Sequence, residues 1–171
     1  MKRLFLFPLV FLVATFSLAG VSVDHDAEVD FSGLKTFAWM EGTPAGSDLV
    51  QRRIHSASQR ELEAQGWSLS DSPADVYVVT HASVAGRTRV HVDNFGYRGY
   101  WRGYGASTVH VQEIKVGTLI VDMLDGDSTR LIWRAVATQT LPTNPKPAKI
   151  EKKINKVVGK MFRKFPPSVE K

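Results

Sequence analysis

The chain has 171 residues, a formal net charge of +5 and no cysteine. The lack of cysteine rules out disulfides, thiolate nucleophiles and cysteine-based zinc sites. Behind a leader segment, about 150 residues are enough for one hydrophobic core and few for two domains. We therefore expect a single domain over residues 20–171.

The N-terminal segment has the pattern of a secretory signal peptide. Lys2 and Arg3 precede an apolar run at residues 4–16, and the small residues Ser17 and Ala19 follow it. This order is typical of a cleavable signal, and the run is shorter than the roughly 20 apolar residues of a membrane span. We predict a signal peptide at residues 1–19 and a periplasmic protein. The alternatives are an uncleaved anchor and a buried N-terminal helix.

The junction after this segment also bears on lipid attachment. Leu18, Ala19 and Gly20 look like the start of a lipoprotein processing site, but Val21 stands where such a site needs cysteine. We therefore expect a protein that is not lipidated. Membrane contact would then require an uncleaved signal or the basic C-terminal helix.

Apolar periodicity and turn residues divide the rest of the chain into strands and two helices. The first helix starts at Ser47 or Asp48 and closes at Gly66, which is a frequent residue at helix ends. A proline-containing linker at residues 141–147 precedes the last helix, whose apolar residues recur at helical spacing over residues 150–165. The predicted strands are residues 21–29, 34–40, 67–69, 74–84 with its continuation over 87–92, 107–116, 118–124 and 129–138.

This order of elements predicts an α+β fold, with an antiparallel β-sheet of about five to seven strands and two helices packed on one face. Residues 118–138 form a predicted hairpin in which Asp122 and Arg134 point outward and pair as an exposed ion pair. The side chains predicted to face the core in this hairpin are Leu119, Val121, Met123, Leu131, Trp133, Ala135 and Ala137.

Candidate chemistry is sparse. His81, His91 and His110 form a metal site only if neighbouring strands bring them together, and no H-x-H or H-E-x-x-H spacing supports one. The acidic residues around Gly126 are typical of a hairpin turn. No nucleophile elbow and no phosphate-binding loop occur. We assign no catalytic, cofactor-binding or metal-binding residue, and we expect no cofactor.

Two segments are candidate binding surfaces. Residues 94–105 combine glycine, arginine and aromatic residues that stack well on sugars or on a protein partner; the alternative is a simple hairpin tip. Residues 146–164 carry eight Lys or Arg and one acid, Glu151, which suits an anionic surface or a solvated helix face. The candidate partner-binding residues are Tyr97, Arg98, Tyr100, Trp101, Arg102 and Tyr104.

Several motifs together resemble the bacterial domain-of-unknown-function family 4136. They are DFSGLKTFAW at residues 30–39, ADVYV at 74–78, GTLIVD at 117–122, LIWR at 131–134 and the closing helix that ends FRKFPP at 162–167. The resemblance covers nearly all of the chain after the predicted signal. It implies an α+β envelope protein, often a lipoprotein, with no assigned activity. Val21 departs from the lipidated pattern.

We therefore expect a non-enzymatic envelope protein that binds a protein or another envelope partner. The alternatives are a small-ligand carrier that uses space between helices and sheet, and a metal-dependent or hydrolytic envelope enzyme. Because export is expected, we expect no nucleic-acid partner. Sequence alone gives no oligomeric state.

Overall fold

The computed structural model describes residues 20–71, 73–94 and 107–167. These residues form two helices and six strands. The helices are α1 (Asp48–Ala64) and α2 (Pro147–Met161). The strands are β1 (Val21–His25), β2 (Thr36–Met40), β3 (Ser68–Leu69), β4 (Val76–Asn94), β5 (Ser107–Asp125) and β6 (Leu131–Leu141).

The strands build one mixed sheet in the order β1-β6-β5-β4-β2-β3. The α+β class and the number of strands are confirmed, but the prediction of an antiparallel sheet is wrong at β2. This strand is parallel to β3 and to β4, with Phe37 opposite Val76 and Met40 opposite Val79. The reason is that α1 lies between β2 and β4 and returns the chain to the end of the sheet where β2 began.

β4 and β5 are longer than the sequence predicted. The sequence predicts one strand at residues 74–84 that continues over 87–92, and two strands at 107–116 and 118–124. One antiparallel ladder instead runs from Val76 opposite Asp125 to Asn94 opposite Ser107. β6 accompanies β5 only as far as the pair of Lys115 and Leu141. Among the described residues, the ladder beyond that pair therefore consists of two strands.

The densest packing lies at the C-terminal ends of the two helices. The ring of Trp133 on β6 lies 5.2 Å from Phe162 and 5.4 Å from Phe165, which follow α2. Trp67, just after α1, lies 5.2 Å from Phe165. Leu62 of α1 is fully buried in the same cluster. These side chains join the ends of both helices to the sheet.

The predicted core of the β5–β6 hairpin is confirmed except at one position. Val121, Met123, Trp133 and the two alanines of β6 are buried, and Leu119 packs against them. Leu131 is 39% exposed. The register shifts between Met123 and Leu124, and such an irregularity changes the face on which the following pairs lie.

We expect Trp133→Ala to lower the free energy of unfolding by about 3–5 kcal/mol, because a large buried ring is replaced by a cavity. Urea denaturation measures this loss. Trp133→Phe is the matched variant. The indole Nε1 is buried without a hydrogen-bond partner among the described residues, so removing it relieves an unsatisfied group and should cost less than about half as much. Equal losses for the two variants would contradict this account.

Candidate functional site

An apolar cavity of about 710 Å³ lies between the sheet and the N-terminal halves of both helices. Its floor consists of Ala82 and Val84 on β4, Leu119 on β5, and Ala137 and Leu141 on β6. These residues alternate along their strands, as one face of a sheet requires. The size falls within the range of pockets that hold small molecules.

The walls of the cavity come from the two helices. α1 contributes Val50 and Ile54, and α2 contributes Ile150, Ile154 and Val157. Residues 44–47 and several residues between 142 and 145 form the rim in front of the two helices. Because both helices start at this end, the cavity is bounded by their first turns.

Small floor residues leave the space open. Ala82 and Ala137 fill little volume, and at Gly117 an added Cβ would lie 3.1 Å from the side chain of Leu141. The fully buried residues of α2 are Val158 and Met161, in its last turns. The cavity therefore occupies the end of the layer that the aromatic cluster does not fill.

The charges of the cavity have one sign. Lys115 on β5 and Lys153 on α2 are its charged lining residues, and none of the described residues that line it is acidic. Neither lysine forms an ion pair within the described part of the chain. Lys153 was assigned to a basic solvated face on sequence grounds. Its spacing from Ile150 and Ile154 was the available signal that it borders the apolar side.

A polar network holds the rim of the cavity. The Ala45 backbone N–H donates to Gln51 Oε1 at 2.8 Å, and Gln51 Nε2 donates to Thr80 Oγ1 at 3.0 Å. His55 Nε2 lies 2.7 Å from Gln51 Nε2 and 3.2 Å from Thr80 Oγ1. Because the Gln51 amide is a donor, this His55 nitrogen acts as an acceptor, which requires a neutral ring.

The surroundings of His55 favour that neutral form. Its ring stacks on Trp39 with centroids 4.1 Å apart and planes 4° from parallel. Burial lowers the pKa of His55 from its ordinary value of 6.5, because desolvation penalises the charged imidazolium. Acid therefore acts against the network that positions the rim.

The predicted pair of Asp122 and Arg134 is confirmed, with two hydrogen bonds of 2.7 Å from Arg134 to the carboxylate. The pair is less exposed than predicted, since Asp122 is only 3% exposed. These contacts raise the pKa of Arg134.

The Thr43 N–H donates to His81 Nδ1 at 3.0 Å, and His81 Nε2 lies 3.8 Å from Asp122. The contacts provide charge pairing and fix the segment after β2.

Of the three histidines considered as metal ligands, His81 lies far along the ladder from His91 and His110. His91 is opposite His110, whereas His81 is opposite Ile120. Ten positions along β4 correspond to roughly 33 Å. Within residues 20–71, 73–94 and 107–167, no three His, Cys, Asp or Glu side chains group as metal ligands. The same residues contain no helix long and apolar enough to cross a membrane.

Two predictions lie outside the described residues. They are the signal peptide at residues 1–19 and the partner-binding segment around Tyr100 and Trp101. The register shows only that this segment connects Asn94 to Ser107, at the end of the long ladder. Both stay predictions.

The geometry defines an α+β protein with an apolar cavity between its layers. A family model described as "Domain of unknown function (DUF4136)" matches residues 21–167. The chain belongs to this family, and the resemblance seen in its sequence motifs is confirmed. No curated protein sequence matches the chain significantly.

Solved structures are similar to this chain at low sequence identity. A PDZ domain protein from Parabacteroides distasonis is similar with a TM-score of 0.60 and 14% identity, over 86% of this chain and 35% of that one. The chain thus spans about a third of the length of that structure. A PelC dodecamer from Paraburkholderia phytofirmans gives a TM-score of 0.49 and 13% identity, over 84% and 94% of the two chains. The first similarity supports the fold alone.

We expect the free energy of unfolding to fall as the pH drops below about 7, in part because of His55. Its pKa is lower in the folded state than in the unfolded state, so the unfolded state binds more protons over this interval. The contribution of neutral His55 to the free energy of unfolding is fully present above pH 6.5, the pKa of this histidine in the unfolded state. It is lost as the pH falls through the lower pKa of the folded state.

Urea denaturation between pH 7.5 and 5 tests this dependence. His55→Gln should show a smaller loss of stability across the interval than the native chain. His25→Gln, at an exposed histidine on β1, is the control and should keep the native slope. An unchanged slope in His55→Gln would contradict the assignment.

Proposed function

We propose that this chain is a non-enzymatic binding protein of the cell envelope that holds a small apolar ligand between its helices and its sheet. The observation that carries the proposal is the cavity of about 710 Å³ with its aliphatic floor and walls. Among the alternatives that the sequence left open, this one corresponds to the small-ligand carrier.

The chemistry of the lining supports binding. Floor and walls offer mainly aliphatic carbon, and each methylene group transferred there from water contributes about 0.8 kcal/mol. The polar side chains that line the cavity are Ser47, Ser83, Thr118, Thr143, Gln139 and the two lysines. These groups fix the orientation of a ligand by hydrogen bonds. The described lining includes no carboxylate or imidazole for general acid–base catalysis.

The cavity also has a stable boundary. The hydrogen bonds of Gln51 join the rim at Ala45 to Thr80 on the sheet. A site whose walls are already in place does not lose the ordering entropy that an induced site would. This supports a cavity that remains open in the absence of ligand.

We propose the envelope as the compartment because of the N-terminal pattern, with Lys2 and Arg3 before an apolar run and Ala19 before the first described residue. The intact mass of the protein from fractionated cells tests this. We expect a species that begins near Gly20 in the soluble periplasmic fraction. A full-length species in the membrane fraction would contradict cleavage and show that residues 4–16 act as an anchor.

We expect Ala82→Phe to weaken the binding of an uncharged apolar probe by about tenfold, or 1.4 kcal/mol, because the new ring occupies the floor of the cavity. Fluorescence titration with N-phenylnaphthylamine measures the affinity. Ala85→Phe is the matched control, on the same strand but outside the cavity lining, and should bind as the native chain does.

Thermal unfolding shows whether both variants keep the fold. Failure of the native chain to bind any apolar probe would contradict the proposal. So would equal weakening by Ala82→Phe and Ala85→Phe, since the probe would then bind elsewhere.

A further inference from the structure

We propose that the ligand is a single-chain anionic amphiphile, a long-chain fatty acid, whose carboxylate pairs with Lys115 and Lys153. This inference rests on the proposed function and adds the ligand class. It is carried by a different observation from the proposed function, namely the sign and the position of the charges that border the cavity.

The first argument is charge complementarity. The charged lining residues are two lysines, and neither has an ion-pair partner within the described residues. Each of the two ammonium groups borders apolar surface, where attraction to an opposite charge is stronger than in bulk water. A carboxylate bound at the cavity is attracted by both lysines. A neutral ligand gains nothing from this arrangement, and a cationic ligand is repelled.

The second argument is the change from an exposed charged side chain to buried apolar side chains along β5. Lys115 is exposed and lies opposite Leu141, the last residue of β6. The next residues on the same face are Gly117 and Leu119, which also line the cavity, and then Val121, which is fully buried. The strand therefore leads from a charge at the entrance to aliphatic carbon inside.

A similar change occurs on α2. Lys153 is half-buried at the cavity, Val157 lies one turn further on and also lines it, and Met161 is fully buried after one more turn. Side chains four residues apart lie on one face of a helix. Lys115 thus lies near the rim of the cavity, and Lys153 borders the cavity between Ile150 and Val157, with apolar side chains further along each element. An amphiphile with its acidic head at the mouth and its chain inside matches both.

The length of the lysine side chain suits this position. Its methylene groups cover apolar surface while the ammonium stays in water, so a carboxylate at the mouth can pair with lysine without being buried. Pairing of this kind contributes up to about 1 kcal/mol per contact. The affinity therefore comes mainly from the chain, and the lysines select the head group.

The experiment compares hexadecanoate with hexadecanol, which have the same chain and differ in head-group charge. Displacement of N-phenylnaphthylamine from the purified protein, in the form that cells produce, measures both affinities. We expect the acid to bind at least about fivefold more tightly than the alcohol, the factor that corresponds to one such contact.

Lys115→Gln and Lys153→Gln should each weaken acid binding by about fivefold and leave alcohol binding unchanged. Lys152→Gln is the control, because Lys152 is an exposed neighbour of Lys153 on the same helix and does not line the cavity. It should bind both ligands as the native chain does.

The outcomes separate this inference from the proposed function. Equal affinity for acid and alcohol, with no effect of either cavity lysine, would overturn the anionic head group and leave the apolar cavity in place. Equal weakening by Lys152→Gln would show attraction by overall charge and would also overturn it. Stronger displacement by a two-chain phosphatidylglycerol would overturn the single chain. If the probe bound but hexadecanoate did not displace it, this inference would fall and the apolar cavity would stand. If the probe itself did not bind, both proposals would fall.

Discussion

The structure depends on aromatic packing at one end of its two layers. Trp133 on the sheet contacts Phe162 and Phe165 behind α2, and Trp67 behind α1 packs against Phe165. These rings bring the ends of both helices close to the sheet. Close packing is continuous in a protein interior only where side chains are large enough to fill it. At the other end the facing residues are Ala82, Ala137 and aliphatic helix residues, and the layers leave a cavity there that is open to solvent, since the floor residue Val84 is 61% exposed.

Polar and charged side chains have different kinds of partner on the two faces of the sheet. On the face away from the cavity, the nearly buried carboxylate of Asp122 is paired with Arg134, so that its charge has a fixed partner. On the cavity face, Thr80 is the buried polar residue of β4, and both of its partners come from α1. Charge is thus neutralised within the protein on one face. The two lysines of the cavity lack such partners among the described residues, and this difference gives the site its chemical preference.

Sequence reasoning reached the fold class, the two helices and the pairing of Asp122 with Arg134, because each of these follows from local periodicity or from a short hairpin. It reached the family through the resemblance of several motifs. It failed to predict the parallel direction of β2, because this direction depends on the path of α1 and not on the residues of the strand itself. It offered space between helices and sheet only as an alternative and identified none of the residues that line the cavity. Val50, Ile54, Ile150 and Ile154 have the same spacing whether they meet a packed core or an open space, and the difference is made by alanines on strands distant in sequence.

The cavity persists because its collapse would cost hydrogen bonds. If the rim at Ala45 moved onto the floor, Gln51 would lose the backbone donor that it binds at 2.8 Å and would no longer be positioned for Thr80. Thr80 is 3% exposed, so no water would replace that partner, and its hydroxyl would keep only the longer contact with His55 at 3.2 Å. The loss of one such hydrogen bond costs about 0.5–1.5 kcal/mol. Filling the cavity would gain apolar contacts, but the side chains of the floor are too short to make many of them. The same network that excludes collapse includes His55, whose neutral ring is its acceptor, and protonation of this ring is therefore the change that most directly weakens the boundary of the site.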